Sequence, residues 1–338
     1  MLPQFAGTLE VLAESAAVRY PLPPHASDEV RAFLETYQAP GSESDFIARL
    51  PGGRVFGPGI VVAPDGRSLA RDVSTDFGKR FDEHWLLGYS KIRPPVHIDG
   101  MTTVVAVTLG EGYCHWLLEE LPRLLMLGGD RTRLSFIAHR GAAFIREAFS
   151  FGGFCGRVLE ARRYSHFQCE QLLIPSLVGR AGCPTPRVVS LLTEFTEPLL
   201  NRAGGLGERL YITRENAGRR RVSNEDELWS YLETCDFKKV RLEELTWAEQ
   251  INAFARAKVI VAPHGAGLAN MTFCQPGARV VELFNRSYIN PCFWRLATLK
   301  NLDYRPLITE SGEELACDPK VNRQDIFADI DAVAKALA

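Results

Sequence analysis

Several things are missing from this sequence, and each absence removes a class of protein. The eight cysteines are scattered and never form a C-x-x-C pair. That spacing argues against a zinc site or a disulfide framework and fits a reducing compartment. No apolar run reaches the roughly 20 residues that a membrane-spanning helix needs. The first residues, Met1 to Glu10, lack a basic stretch followed by an apolar run, so they do not read as a secretory signal. The expectation is a cytoplasmic protein. There is no basic excess either, with 39 Lys and Arg against 41 Asp and Glu and a net charge of −2. Bulk nucleic-acid binding is therefore excluded, and any phosphate recognition has to be local. G-x-S-x-G and P-loop signatures are absent. The lone Asp-x-Asp, Asp329-Ile-Asp331, falls on an amphipathic stripe, so no metal is expected. There is no internal repeat and no low-complexity tract.

What is present is the text of an α/β enzyme. Hydrophobic residues make up 46% and charged residues 24%, which is ordinary for a soluble domain, and 338 residues favour two domains. The first fifty residues read as irregular around one helix, Asp28 to Tyr37. Gly59 to Leu69 reads as a β-hairpin with an Asp65-Gly66 turn. Strands are expected at 103–108, 134–138, 157–160 and 171–175, with helices at 113–127 and 142–151. The Ala142–Phe149 helix has an apolar face; core packing is the simpler reading, and a peripheral membrane contact is the other. Gly179 to Pro186 reads as a linker, followed by a helix at 187–200. A second alternation then begins: strand 209–213, helix 224–234, strand 239–242, helix 247–256, strand 259–262, a short helix, and strand 279–284. Asn224 with Glu227 three residues on has the form of a capping box. Ile326, Phe327, Ile330, Val333 and Leu337 mark a terminal amphipathic helix over 322–337. The expected division is residues 1–180, 181–315 and 316–338, with ligands at the carboxyl ends of parallel strands.

Three segments carry chemistry. In Tyr113-Cys-His-Trp-Leu-Leu-Glu-Glu-Leu-Pro-Arg123, helical spacing puts His115, Glu119 and Arg123 on one face. The stripe is either an internally salt-bridged face or the wall of a pocket. In the second case His115 is a candidate general base, with Glu119 or Glu120 orienting or replacing it. Pro122 removes one helix hydrogen bond and should kink the segment.

The second segment, Arg209 to Asn224, runs from a strand into a glycine loop with Arg214, Arg219, Arg220 and Arg221. Guanidinium forks suit diphosphate oxygens, although a charge run is often only a solvated face. The third segment is Val259-Ile-Val-Ala-Pro-His264-Gly265-Ala266-Gly267-Leu-Ala-Asn270. A strand, a glycine turn and a helix N-terminus can seat an anion, or can simply be a tight connection. Glu282, at the end of the next strand, sits where a dinucleotide fold places its ribose acid.

Taken in order, these segments resemble glycosyltransferase family 61. The resemblance rests on Tyr113–Arg123, on Arg214 with Arg220, Arg221 and Asn224, on the Glu249-Gln250 helix, and on His264–Asn270 with Glu282. It covers about Gly53 to Arg305. Cys114 stands where the family often has an aromatic residue. The resemblance implies a GT-B fold, two Rossmann-like α/β domains facing a central cleft. It implies inverting, metal-independent transfer, without a cofactor, from a UDP-linked nucleotide sugar to a glycan or lipid-linked glycan acceptor. The setting implied is bacterial surface polysaccharide synthesis in the cytoplasm, at most peripheral to the inner membrane. It makes His115 the first candidate base, ahead of Glu119 and Glu120. It assigns Arg214, Arg220, Asn224, His264, Gly265, Ala266, Gly267, Asn270 and Glu282 to the donor. Two other readings stay open: an NAD- or nucleotide-dependent oxidoreductase or epimerase, and a non-catalytic nucleotide-sugar-binding protein.

Overall fold

The computed structural model describes residues 7–14, 18–38, 44–74, 83–88, 92–128, 132–178, 183–200, 206–308, 315–317 and 324–338. The chain divides into two compact units. The first comprises Met1–Ala17 with Gly41–Leu191, and the second Val18–Pro40 with Leu192–Ala338. These limits differ from those expected, because residues 18–40 pack with the carboxyl-terminal half. Their helix, Asp28–Glu35, is capped by the Ser27 side chain. The Trp294 indole donates to the Pro21 carbonyl at 2.8 Å, and Tyr20 packs on the Trp294 ring. Half of the expected linker, 179–182, and the start of the expected terminal helix, through 323, lie outside the described residues.

The first unit holds a mixed eight-stranded sheet: β1 (Thr8–Glu14), β2 (Ser44–Pro51), β3 (Arg54–Phe56), β4 (Ile60–Val62), β5 (Val96–Val104), β6 (Ser135–Ala138), β7 (Val158–Glu160) and β8 (His166–Pro175). The spatial path is β1-β2-β8-β5-β6-β7, with the β3–β4 hairpin paired to β8. β8, β5, β6 and β7 run parallel, and β2 joins them antiparallel. β1 and β2 overturn the expectation of an irregular start. Every residue of β1 is exposed, so the strand has no buried face to leave an alternating apolar signature. Inside, Leu50, Val55, Val104, Ile137, Leu172 and Ile174 form one apolar cluster.

The helical segment between β5 and β6 has a widened centre. Tyr113–His115 is α-helical, Trp116–Glu120 is a π-helical turn, and Leu121–Leu125 returns to α. Pro122 has no N–H for the Leu118 carbonyl and its ring needs room there; the wide turn supplies both.

The second unit is a five-stranded parallel sheet made of β9 (Arg209–Ile212), β10 (Lys238–Val240), β11 (Val259–Pro263), β12 (Arg279–Phe284) and β13 (Asp303–Ile308). The spatial order β10-β9-β11-β12-β13 is a 2-1-3-4-5 arrangement. Strand order therefore reverses between β9 and β11, and such sheets bind ligands in the crevice at that point. Between β10 and β11 the helix Trp247–Arg256 starts with a full capping box from Thr246 and Glu249, worth about 1 kcal/mol. It buries Trp247, Ile251 and Phe254. The expected capping box at Asn224 does not form. Its Nδ2 donates to the Ala328 carbonyl and its Oδ1 accepts from the Ala328 N–H, fastening the terminal segment to the sheet. The terminal helix is shorter than expected, Ile330–Leu337, and Asp329 is its N-cap.

Candidate functional site

In the second unit a cavity of about 310 Å³ opens at the switch point. Thr213, Arg214, Asn216 and Ala217 line it after β9, and Pro263, Gly265, Gly267 and Leu268 line it after β11. The arginine loop and the glycine turn are neighbours only because β9 and β11 are adjacent in the sheet. Arg214 is the main charge. Its Nη2 donates to the Arg219 carbonyl at 3.2 Å, and its buried Nε has no partner. Burial, followed by the nearby Arg220 and Arg219 charges, pulls its pKa down to about 10. Arg220 adopts φ +55 and lays its guanidinium 5.3 Å over the Tyr288 ring; its Nε is also buried without a partner. Burial lowers its pKa as well. Among the described residues neither arginine is in an ion pair. One carboxylate, Glu243, lines the cavity, and Asn216 donates to it at 3.2 Å. Arg214 is desolvated and repelled by its arginine neighbours, the Glu243 carboxylate offsets this only in part, and an anion in the crevice would relieve the penalty.

His264 lies beneath this turn. Its Nδ1 faces Glu282 Oε1 at 2.5 Å, and Tyr304 donates its hydroxyl to Glu282 Oε2 at 2.5 Å. The imidazole stacks on Phe284 and is flanked by Tyr288 and Phe293. Burial lowers its pKa in spite of the opposing Glu282 carboxylate, and Arg220 and Arg214 add to the lowering. Neutral His264 therefore donates through Nδ1 and keeps its lone pair at Nε2.

Glu282 is fully buried and both its oxygens are occupied, so it positions His264 and has no face for a ribose. The dinucleotide analogy fails for a second reason. The glycine turn follows the third strand of the unit, whereas the fingerprint follows the first. Asn270 is likewise fully buried; it donates to Gln250 Oε1 and the Gly267 carbonyl, and so braces the turn from behind. Asn224 belongs to the terminal clamp described above. Arg221 pairs with Asp325 at 3.0 Å. Ala266 opens the expected short helix, which is a 3-10 helix, Ala266–Phe273.

In the first unit the expected His115–Glu119–Arg123 stripe splits. His115 Nδ1 and Glu119 Oε1 are 2.7 Å apart. Arg123 has turned fully inward, where it donates to the carbonyls of Val105, Ala106 and Pro175 and ties β5 to β8. The π-helical turn between them takes 119 and 123 out of register. Glu120, expected beside His115, points the other way. It is 1% exposed, receives the His139 N–H at 2.8 Å on Oε1, and faces His139 Nδ1 at 2.7 Å on Oε2.

His139 is the candidate residue that the sequence did not point to. It stands just after β6 and lines a second cavity of about 670 Å³. Burial opposes its protonation, but the Glu120 hydrogen bond and the charges of Glu120, Glu111 and Glu160 outweigh that, and its pKa is raised. Its position one residue past an apolar strand was the available signal; the carboxylate 19 residues upstream was not visible. Among the described residues no three His, Cys, Asp or Glu side chains converge as a metal site would require. Among them, too, no helix is long and apolar enough to cross a membrane.

Fold and site together define an α/β protein with a cation-lined crevice at the switch point of a parallel sheet. Its family follows from comparison. A family profile described as Glycosyltransferase 61 matches residues 113–281, from the Tyr113 helix through β12. The chain belongs to glycosyltransferase family 61. It is similar to the EGF domain-specific O-linked N-acetylglucosamine transferase of Drosophila melanogaster, with 35% identity over 89 residues, 25% of this chain and 17% of the relative. It is also similar to the beta-1,2-xylosyltransferase RCN11 of Oryza sativa subsp. japonica, with 27% identity over 95 residues, 26% of this chain and 18% of the relative. Each stretch spans under a fifth of the relative's own length.

Proposed function

We propose that the protein transfers a sugar from a nucleoside-diphosphate donor, UDP-linked, to a glycan acceptor with inversion, without a metal, as an enzyme of the GT-B class. The carrying observation is the pair Arg214 and Arg220. Both are desolvated, the Arg220 and Arg219 charges lower the Arg214 pKa, the Arg219 charge lowers that of Arg220, and among the described residues neither is in an ion pair. A diphosphate leaving group gains charge as its bond to the sugar breaks, and fixed cations in a partly dry site stabilise that charge strongly. Gly265 and Gly267 let the backbone approach the phosphates. Neutral His264 offers its Nε2 lone pair to a ribose hydroxyl, and donates from Nε2 to a phosphate if anion binding brings a proton with it.

Inversion by direct displacement needs one base for the acceptor hydroxyl. We assign it to one of the two histidine–glutamate pairs of the first unit, His115–Glu119 or His139–Glu120. The names of the two relatives support N-acetylglucosamine and xylose as the first donor sugars to try. A bacterial surface polysaccharide as the product is supported by the motif resemblance.

Isothermal titration with UDP and with NAD tests the donor half. UDP should bind wild-type protein and lose on the order of 1.5–3 kcal/mol with Arg214→Ala, the value of a hydrogen bond to a charged group. Tight NAD binding with no UDP binding would overturn it.

A further inference from the structure

Between the two histidine–glutamate pairs the structure discriminates. We infer that His139, held by Glu120, takes the proton of the acceptor hydroxyl, and that the cavity in front of it seats the acceptor sugar. The inference rests on the transfer reading above and adds the base and its site.

The cavity lies at the carboxyl ends of three adjacent parallel strands. Leu109 and Glu111 follow β5, His139 follows β6, and Glu160 and Arg162 end and follow β7. Its volume, about 670 Å³, is in the range that encloses a small ligand. The wall combines apolar surface, Trp85 and Leu109, with carboxylates and guanidinium groups, the mixture that a sugar ring with an apolar face and a rim of hydroxyls requires. His115 and Glu119 do not line it.

The pair is built with little freedom. Glu120 grips His139 twice, at the backbone N–H and at Nδ1. The second bond makes Nδ1 the donor, so neutral His139 carries its lone pair on Nε2. Gly110 closes the pair from above; a Cβ there would stand 2.2 Å from Glu120 Oε2 and 2.8 Å from His139 Nδ1. Next to it Leu109 holds φ +67, a conformation that a leucine rarely adopts and that surrounding structure must enforce. A buried carboxylate, an imidazole in a set tautomer and a cavity that the histidine lines are the parts of a general base.

The step balances simply. The acceptor oxygen forms a bond to the anomeric carbon while the bond from that carbon to the diphosphate breaks, its electron pair leaving with the diphosphate. The hydroxyl proton passes to His139 Nε2, and Glu120 stabilises the imidazolium. Glu111, Glu160, Arg162 and Arg163 are the other charged groups facing the site.

The test uses the full chain and two readouts. The first is ¹⁵N NMR of labelled histidine above the imidazole titration. Wild type should show His139 protonated on Nδ1, and Glu120→Gln should switch it to Nε2, because the amide presents an N–H to Nδ1. Wild type protonated on Nε2, or no switch in Glu120→Gln, overturns the inference whether or not a donor is found. The second is turnover of UDP-N-acetylglucosamine and UDP-xylose. His139→Gln should lose about 10²–10⁴-fold in kcat, with UDP affinity unchanged. Glu120→Gln should lose activity and shift the acid limb of the pH profile. Retained turnover in His139→Gln with loss in His115→Gln overturns it. Failure of wild type to bind UDP sinks the donor reading instead.

Discussion

Arg214 and Gly265 are packed so closely that a Cβ at position 265 would stand 2.2 Å from the arginine's Nη1. Gly265 has φ −178, extended backbone open to any residue, so the glycine is needed for space and not for conformation. Gly265→Ala should therefore push the guanidinium out of the crevice. UDP affinity is expected to fall by as much as 1.5–3 kcal/mol, about ten- to hundredfold. The urea midpoint should hardly move, because the displaced group is the far end of a long side chain. Titration calorimetry beside a urea melt checks both.

Arg220 separates charge from backbone strain. Arg220→Ala and Arg220→Gly both delete the guanidinium and should weaken UDP alike. The residue sits at φ +55, where an L-residue is disfavoured by roughly 1–2 kcal/mol relative to glycine. The glycine variant should be the more stable of the two in chemical denaturation. Equal stability would show that position 220 carries no backbone strain.

Glu282 should behave as a structural group. Glu282→Ala leaves the His264 N–H and the Tyr304 hydroxyl buried without their acceptor, at about 1–3 kcal/mol each. A large fall in the unfolding free energy is expected. Glu282→Gln keeps one acceptor and should fall less. If either variant keeps full stability and loses only UDP affinity, the ribose role returns.

Two of the buried histidines, His139 and His264, should give opposite pH dependences of stability. The folded pKa of His139 is raised above the ordinary 6.5. Its contribution is fully present below 6.5 and is lost as pH rises through the folded value. The folded pKa of His264 is lowered from 6.5. Its contribution is present above 6.5 and is lost as pH falls through the folded value. His139→Gln should flatten the alkaline side of the stability profile and His264→Gln the acid side, read from urea melts between pH 5 and 9.

Much of the architecture is legible in the chain. The apolar runs at 135–138, 259–263 and 279–284, and the amphipathic helices at 143–151 and 247–256, are local patterns, and local patterns decide strand and helix. The arginine loop and the glycine turn are legible too, since a charge cluster and a pair of glycines stand out wherever they fold. β1 was not legible, because a strand with no buried face has no period to show.

Tertiary structure alone decided which polar residues face a cavity. Glu119 and Glu120 are the same residue type one position apart, yet one pairs with His115 and the other is buried under His139. Adjacent positions on a helix point different ways, and only the packing of β6 beside the helix says what waits on each side. By sequence Glu282 and Asn270 are ligand-like, and they are buried as braces; His139 is unremarked, and it faces a cavity. A side chain's burial and its partner depend on residues far along the chain, and those meet only when the strands are laid side by side.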